Sequence, residues 1–139
     1  ERLEREGIAA RLIWSADEPT GIGLLDVVPR RASKYHAIEA LMKMHGFDCS
    51  ATVFAGDSGN DIEVLVSPIP AVLVANSAPA VREQALQTAG EHGRSRQIYI
   101  AQGEFMGMNG NYSAGILEGV AHYHPDCLDW MGFPATQRA

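Results

Sequence analysis

The apolar positions of this chain follow two different rhythms. Residues 8–15 (IAARLIWS) and 22–29 (IGLLDVVP) are apolar-rich runs separated by 16–21 (ADEPTG), a stretch dense in turn formers. Two such runs around a turn predict an antiparallel hairpin. Ahead of it, residues 3–6 read as the end of a helix stopped by Gly7. From Ser33 onward the period becomes helical. Ile38, Leu41, Met42 and His45 recur on one face, Ser33 is placed to cap the start and Gly46 to stop the end, so a helix is expected over 34–45.

Residues 51–56 (ATVFAG) are apolar without polar alternation, as expected of a parallel strand buried on both faces. A polar loop follows at 57–60. A short helix from Asp61 should stop near Ser67, because Pro68 and Pro70 cannot continue it. Residues 71–75 (AVLVA) read as a second buried strand, and 78–88 as a helix opening behind Ser77 with Pro79 in its first turn. A third strand is expected at 97–101 (QIYIA), then a helix at 113–122 with Ile116, Leu117, Val120 and Ala121 on its inner face. This alternation predicts a wound, parallel α/β sheet. The hairpin stands outside it as a smaller lobe, and the glycine-rich 103–115 segment reads as a mobile loop.

Composition narrows the function classes. The 139 residues, 46% of them hydrophobic, suffice for one domain of ordinary size. A net charge of −6 offers no basic footprint for a phosphate backbone, which argues against nucleic acid and anionic membranes as partners. No run reaches the ~18 apolar residues of a membrane span. Cys49 and Cys127 are far apart and outside any zinc spacing, which points to a reducing, cytoplasmic setting. The first residues carry charges of both signs with no apolar signal core and no initiator Met, so the chain reads as starting within something longer.

The most informative stretch is GDSGND, residues 56–61, where a buried strand gives way to a helix. In open α/β sheets ligands bind outside the carboxyl ends of the strands. Asp57 and Asp61 are oxygen ligands of the kind Mg²⁺ takes, and Gly56 and Gly59 permit a tight turn. The same residues are also ordinary turn formers, with Asn60 available to cap the next helix. Lys34, at the first turn of its helix, could meet phosphate oxygens or be a solvated surface lysine. His122 and His124 form an HxH pair more in keeping with a helix C-terminus than with a metal, and His36 and His45 have no ligand cluster around them. Trp14 reads as lobe core, and Met106 and Met108 as packing beneath the glycine-rich loop.

Taken together, Asp26-Val-Val-Pro, Ser33-Lys34, GDSGND, Val74-Ala-Asn76-Ser-Ala and the closing Ser113-Ala-Gly-Ile-Leu-Glu-Gly-Val-Ala-His122 resemble the second half of a haloacid-dehalogenase-type phosphatase with a type-2 cap. The nearest likeness is to the sucrose-phosphatase group, which includes mannosylfructose-phosphate phosphatases. The resemblance implies an α/β fold, the C-terminal half of a Rossmann-like parallel sheet over 31–139, preceded by the remnant of an α+β cap over 1–30. It implies Mg²⁺-dependent hydrolysis of a sugar or disaccharide phosphate, such as sucrose 6-phosphate or mannosylfructose phosphate, through an aspartyl-phosphate. Lys34 would hold the phosphoryl oxygens, Asp57 and Asp61 the metal, with Asp61 also orienting water and Lys34; Ser58, Asn60 and Asn76 would serve the phosphate or substrate. The family's nucleophile lies in a DxDxT motif, and this sequence contains no Asp-x-Asp. The expected partner is therefore the missing N-terminal half of the same protein, whose nucleophile strand would lie beside residues 51–56 and whose absence would leave that edge unpaired. A module of another class, binding Mg²⁺ or phosphate without turnover, is the alternative.

Overall fold

Residues 2–16 and 20–132 are described by a computed structural model. The chain divides into two units, Glu1–Ala40 and Leu41–Ala139. The boundary between these units falls inside the predicted helix 34–45. Residues 17–19, the middle of the expected turn, lie outside the described residues, as does Glu1.

In the first unit a short helix, α1 (Arg2–Arg5), ends at Gly7, whose φ of 70° is one that glycine adopts without steric cost. The Gly7 and Ile8 amides donate to the carbonyls of Glu4 and Leu3, satisfying groups the helix end would otherwise orphan. The predicted hairpin follows as β1 (Ala10–Ala16) and β2 (Gly23–Pro29), antiparallel, with Ala10 opposite Pro29 and Ala16 opposite Gly23. This register sets Leu12 against Val27 and Trp14 against Leu25 on one face. All four are exposed, Trp14 at 71%, so Trp14 is not lobe core as its apolarity suggested. Its ring instead lies over Gly23, where a Cβ would sit 2.5 Å from it.

The helix α2 (Lys34–His45) has the predicted ends: Ser33 Oγ accepts from the His36 amide at 3.1 Å, and Gly46 turns out with φ 72°. None of its residues is buried; Leu41 of its predicted apolar face is exposed, as is Met44.

The second unit is built on three parallel strands in the order β3 (Phe54–Gly56), β4 (Ala71–Leu73), β5 (Ile98–Ile100). Among the described residues β3 pairs only with β4. The first strand is shorter than predicted. Ala51 closes a 3₁₀ turn over Cys49–Ala51 whose cap, Asp48, accepts from the Ser50 hydroxyl (2.6 Å) and the Ala51 amide (3.1 Å); these bonds hold the Asp48 carboxyl below its ordinary range. Local side-chain bonding thus overrides the β-prone sequence.

Strand β4 is the buried centre, and its alternation makes three layers. Ala71 and Leu73 pack with Leu65 of α3 (Ile62–Leu65), Ala85 and Ala89 of α4 (Pro79–Glu91), and Ile98. Val72 and Val74 face α5 (Tyr112–Tyr123). Each fully buried Leu, Ile or Val contributes about 1.5–3 kcal/mol of hydrophobic stabilisation. Ser77 does not cap α4: Ala78 holds that position, and Ser77 Oγ accepts from Arg82 Nε at 2.9 Å while the same guanidinium bonds the Ala75 carbonyl.

The inner face of α5 also differs from expectation. Gly115, Glu118 and Gly119 are the buried positions, and Ile116 is 45% exposed. The helix lies so close to β4 that a Cβ at Gly119 would overlap Val72, and one at Gly115 would overlap the Gly110 carbonyl. Glu118 replaces water with three donors: Tyr99 OH at 2.8 Å, Gln102 N at 2.6 Å and Gly103 N at 3.0 Å. Desolvation, followed by the Glu118 bond and charge, pushes the Tyr99 phenol up to about 12. The far end of the glycine-rich loop is held too, where Gly110 O accepts from Ala75 N at 2.8 Å. Among the described residues no helix is long and apolar enough to cross a membrane.

Gly119→Ala should lower stability by about 1–3 kcal/mol through overpacking, read as a lower urea midpoint. Gly59→Ala, with open space at its Cβ, should stay within about 0.5 kcal/mol of wild type. Because the folded Tyr99 holds its proton to about 12 against an ordinary 10.0, its contribution is complete below pH 10 and lost as pH rises from 10 towards 12. Tyr99→Phe should flatten that alkaline slope in unfolding midpoints measured against pH.

Candidate active site

The GDSGND loop opens where β3 ends at Gly56 and closes in a 3₁₀ turn, Gly59–Asp61, that runs into α3. It is built around one buried carboxylate. Asp61, 3% exposed, turns Oδ2 inward to accept from Asp57 N at 3.2 Å and Ser58 N at 3.3 Å. Ser58 Oγ lies 3.1 Å from the same oxygen and 2.7 Å from Asn60 Oδ1, one hydroxyl proton between two acceptors. Gly56 is glycine for the same reason, since a Cβ there would sit 2.7 Å from Asp61 Oδ2. A buried charge must be matched by donors, and here the donors are the loop's own amides, so burying Asp61 dictates the loop's shape.

Asp57 has the opposite setting. Its side chain is exposed and lines a cavity of about 250 Å³ whose other walls include Ala55, Gly56, Val74 and the first residues of α5. An exposed carboxylate is an oxygen donor of the kind a hard divalent cation takes. Asp61 meets that description less well, because Oδ2 is spent on the loop. Among the described residues no three of His, Cys, Asp and Glu gather into a metal-binding group. His122 stacks on Tyr99, ring centroids 4.1 Å apart, and meets Tyr123 edge-on.

The structure therefore gathers Asp57, Ser58, Asn60 and Asp61 in one loop, and sets Asn76 just beyond β4, the strand next to β3. Asn76 Oδ1 accepts from Tyr112 N at 2.8 Å, a bond that pins the start of α5. Arg82 braces the same segment from the other side through Ala75 and Ser77. Lys34 opens α2 in the first unit, whereas the acidic loop belongs to the second.

Sequence reasoning missed Tyr112, Arg82 and Glu118. Glu118 had a legible signal, a carboxylate set between two glycines in an otherwise apolar stripe; Tyr112 and Arg82 had none, because their roles depend on segments distant in sequence.

With this geometry in place, comparisons with known proteins converge. The profile of the family Sucrose-6F-phosphate phosphohydrolase matches residues 1–124. A protein of Nitrosococcus oceani named as a HAD-like hydrolase is 55% identical over 132 residues, 94% of this chain and 35% of that protein. Sucrose-phosphatase 1 of Nicotiana tabacum is 29% identical over 128 residues, 89% of this chain and 27% of the relative. The X-ray structure of the sucrose-phosphatase from Synechocystis sp. PCC6803, in complex with sucrose and phosphate, superposes with a TM-score of 0.64 at 28% identity, covering 88% of this chain and 43% of that one. The chain thus spans about a third or less of the length of the curated relatives. It belongs to the sucrose-6F-phosphate phosphohydrolase family, with the α/β fold and parallel sheet of its haloacid-dehalogenase-type relatives.

Proposed function

We propose that this chain is part of a Mg²⁺-dependent phosphatase that hydrolyses a sugar phosphate in the cytoplasm. The observation that carries the reading is the division of labour in GDSGND, where Asp61 is buried to shape the loop and Asp57 is exposed to a cavity at the carboxyl end of β3. Residues 1–30 serve in this reading as the end of a cap and residues 31–139 as part of the catalytic core.

Phosphoryl transfer needs positioning and charge neutralisation more than elaborate covalent chemistry. Asp57 is assigned the metal, with Asp61 fixing the loop that presents it and contributing to the same site. A bound Mg²⁺ supplies charge neutralisation on the phosphoryl oxygens. Lys34 is assigned the same oxygens, as a compact positive charge in the first turn of α2. Ser58 and Asn60 keep the loop's polar rim in shape, and Asn76 acts next door through the start of α5. The attacking carboxylate, which would form the aspartyl-phosphate, belongs to a DxDxT motif outside this sequence, so hydrolysis is expected only when the segment carrying it is present. The absence of any Asp-x-Asp here favours the second reading, a module that binds without turnover. Phosphate release from sucrose 6-phosphate with that segment supplied separates the two: turnover supports the first, and binding without turnover the second.

Titration with Mg²⁺ should move the amides of residues 57–61 first, with millimolar affinity, since few protein carboxylates contribute. Asp57→Asn should abolish the response while leaving the fold intact. Shifts centred on His122 and His124 would instead overturn the assignment. In a preparation that turns over sucrose 6-phosphate, Lys34→Ala should lower kcat by about a hundredfold or more with a smaller change in KM, because charge stabilisation counts most in the transition state. Near-normal kcat would make Lys34 a surface residue.

A further inference from the structure

Tyr112 is held in an unusual way. Its φ is 46°, in the left-handed region that a bulky L-residue rarely enters, and Met106 is the one other non-glycine residue with positive φ among the described residues. The conformation is imposed from outside. Asn76 Oδ1 takes the Tyr112 amide at 2.8 Å, and the segment just before it is anchored where Gly110 O accepts from Ala75 N. Gly110 itself has no room for a Cβ, which would fall 2.8 Å from Gly103 N. All this constraint supports a side chain that contributes little to the core, since the Tyr112 ring is 69% exposed. Strained backbone of this kind persists where the surrounding structure over-determines it, and it clusters at ligand sites. Tyr112 lines the same cavity as Asp57, together with Gly56, Val74, Ser113 and Ile116.

We propose that Tyr112 is a specificity-determining contact that receives the sugar of a sugar phosphate while the phosphate is held at the Asp57 loop. This rests on the phosphatase reading above. An exposed phenol offers an apolar face to the C–H surface of a pyranose or furanose ring and a hydroxyl to its oxygens. Its sharing one cavity with an exposed carboxylate gives such a ligand two places, the loop for the anionic group and the ring for the sugar. Asn76 is then a positioning residue that acts through Tyr112.

The test is a titration of the full chain, with Mg²⁺ present, by sucrose 6-phosphate and separately by inorganic phosphate, following amide shifts at residues 56–61 and 112–116. Wild type should prefer sucrose 6-phosphate. Tyr112→Gly should weaken sucrose 6-phosphate about tenfold, the equivalent of roughly 1.4 kcal/mol, and leave inorganic phosphate within about twofold. Tyr112→Phe, which keeps the ring, should retain most of the preference. Glycine also relieves the left-handed strain, so the Tm of Tyr112→Gly should be equal to or above that of wild type, and a loss of sugar affinity cannot then be ascribed to unfolding. Undiminished sucrose 6-phosphate binding in Tyr112→Gly, an equal loss for both ligands, or no sugar preference in wild type would each overturn the proposal while the phosphatase reading stands. No shift at residues 56–61 with either ligand would overturn that reading and this one with it.

Discussion

A carboxylate withdrawn from water has to be surrounded by hydrogen-bond donors, and much of the second unit is arranged to meet that requirement. Asp61 is matched by the amides of the segment that precedes it, which bends the chain after β3 into a tight loop. Glu118 is matched by a phenol and by two amides of the segment after β5. Asp61 closes a 3₁₀ turn and Glu118 lies on α5, and each draws two backbone amides of a loop towards it, so the segments at the carboxyl ends of the strands are shaped by the acids beneath them.

The second constraint is proximity. Gly115 and Gly119 let α5 approach β4 closely enough that Val72 and Val74 fill the space that side chains would have taken. That approach brings Glu118 within reach of Tyr99 and the segment beyond β5, and brings the start of α5 beside Gly56 and Asp57. Close packing and buried-acid satisfaction therefore support one another: the glycines make the Glu118 bonds possible, and those bonds hold the loop that leads back to Tyr112.

Much of this was legible in the order of residues. The hairpin, α2 with its Ser33 cap and Gly46 stop, and the three strands follow from periodicity and punctuation, because those signals are local. GDSGND was legible as a strand-to-helix loop for the same reason, its six residues being adjacent. What failed depended on the third dimension. Trp14 was read as core on its apolarity, but a two-stranded ribbon has two faces to fill and the first unit leaves this one exposed. The face of α5 was assigned to its large apolar residues, whereas the sheet selected the glycines, because a helix this near to β4 admits no Cβ. The bond from the Tyr112 amide to Asn76 Oδ1, thirty-six positions away, has no local signal at all. Sequence patterns report what a residue prefers; they do not report which distant backbone will arrive beside it.

The seat of α5 has a mechanical side. A helix that meets a sheet through two glycines four residues apart cannot slide smoothly, since a shift by one residue's rise of about 1.5 Å would drive a side chain into the valines. Its last tyrosine, Tyr123, is fastened to the carbonyls of Ala71 and Gln97, at the opposite end of the strands from Asp57. Twelve residues at about 1.5 Å each span roughly 18 Å. The helix is thus a rigid strut running the height of the sheet, and a push on its first turn would be felt as leverage on the floor of the core.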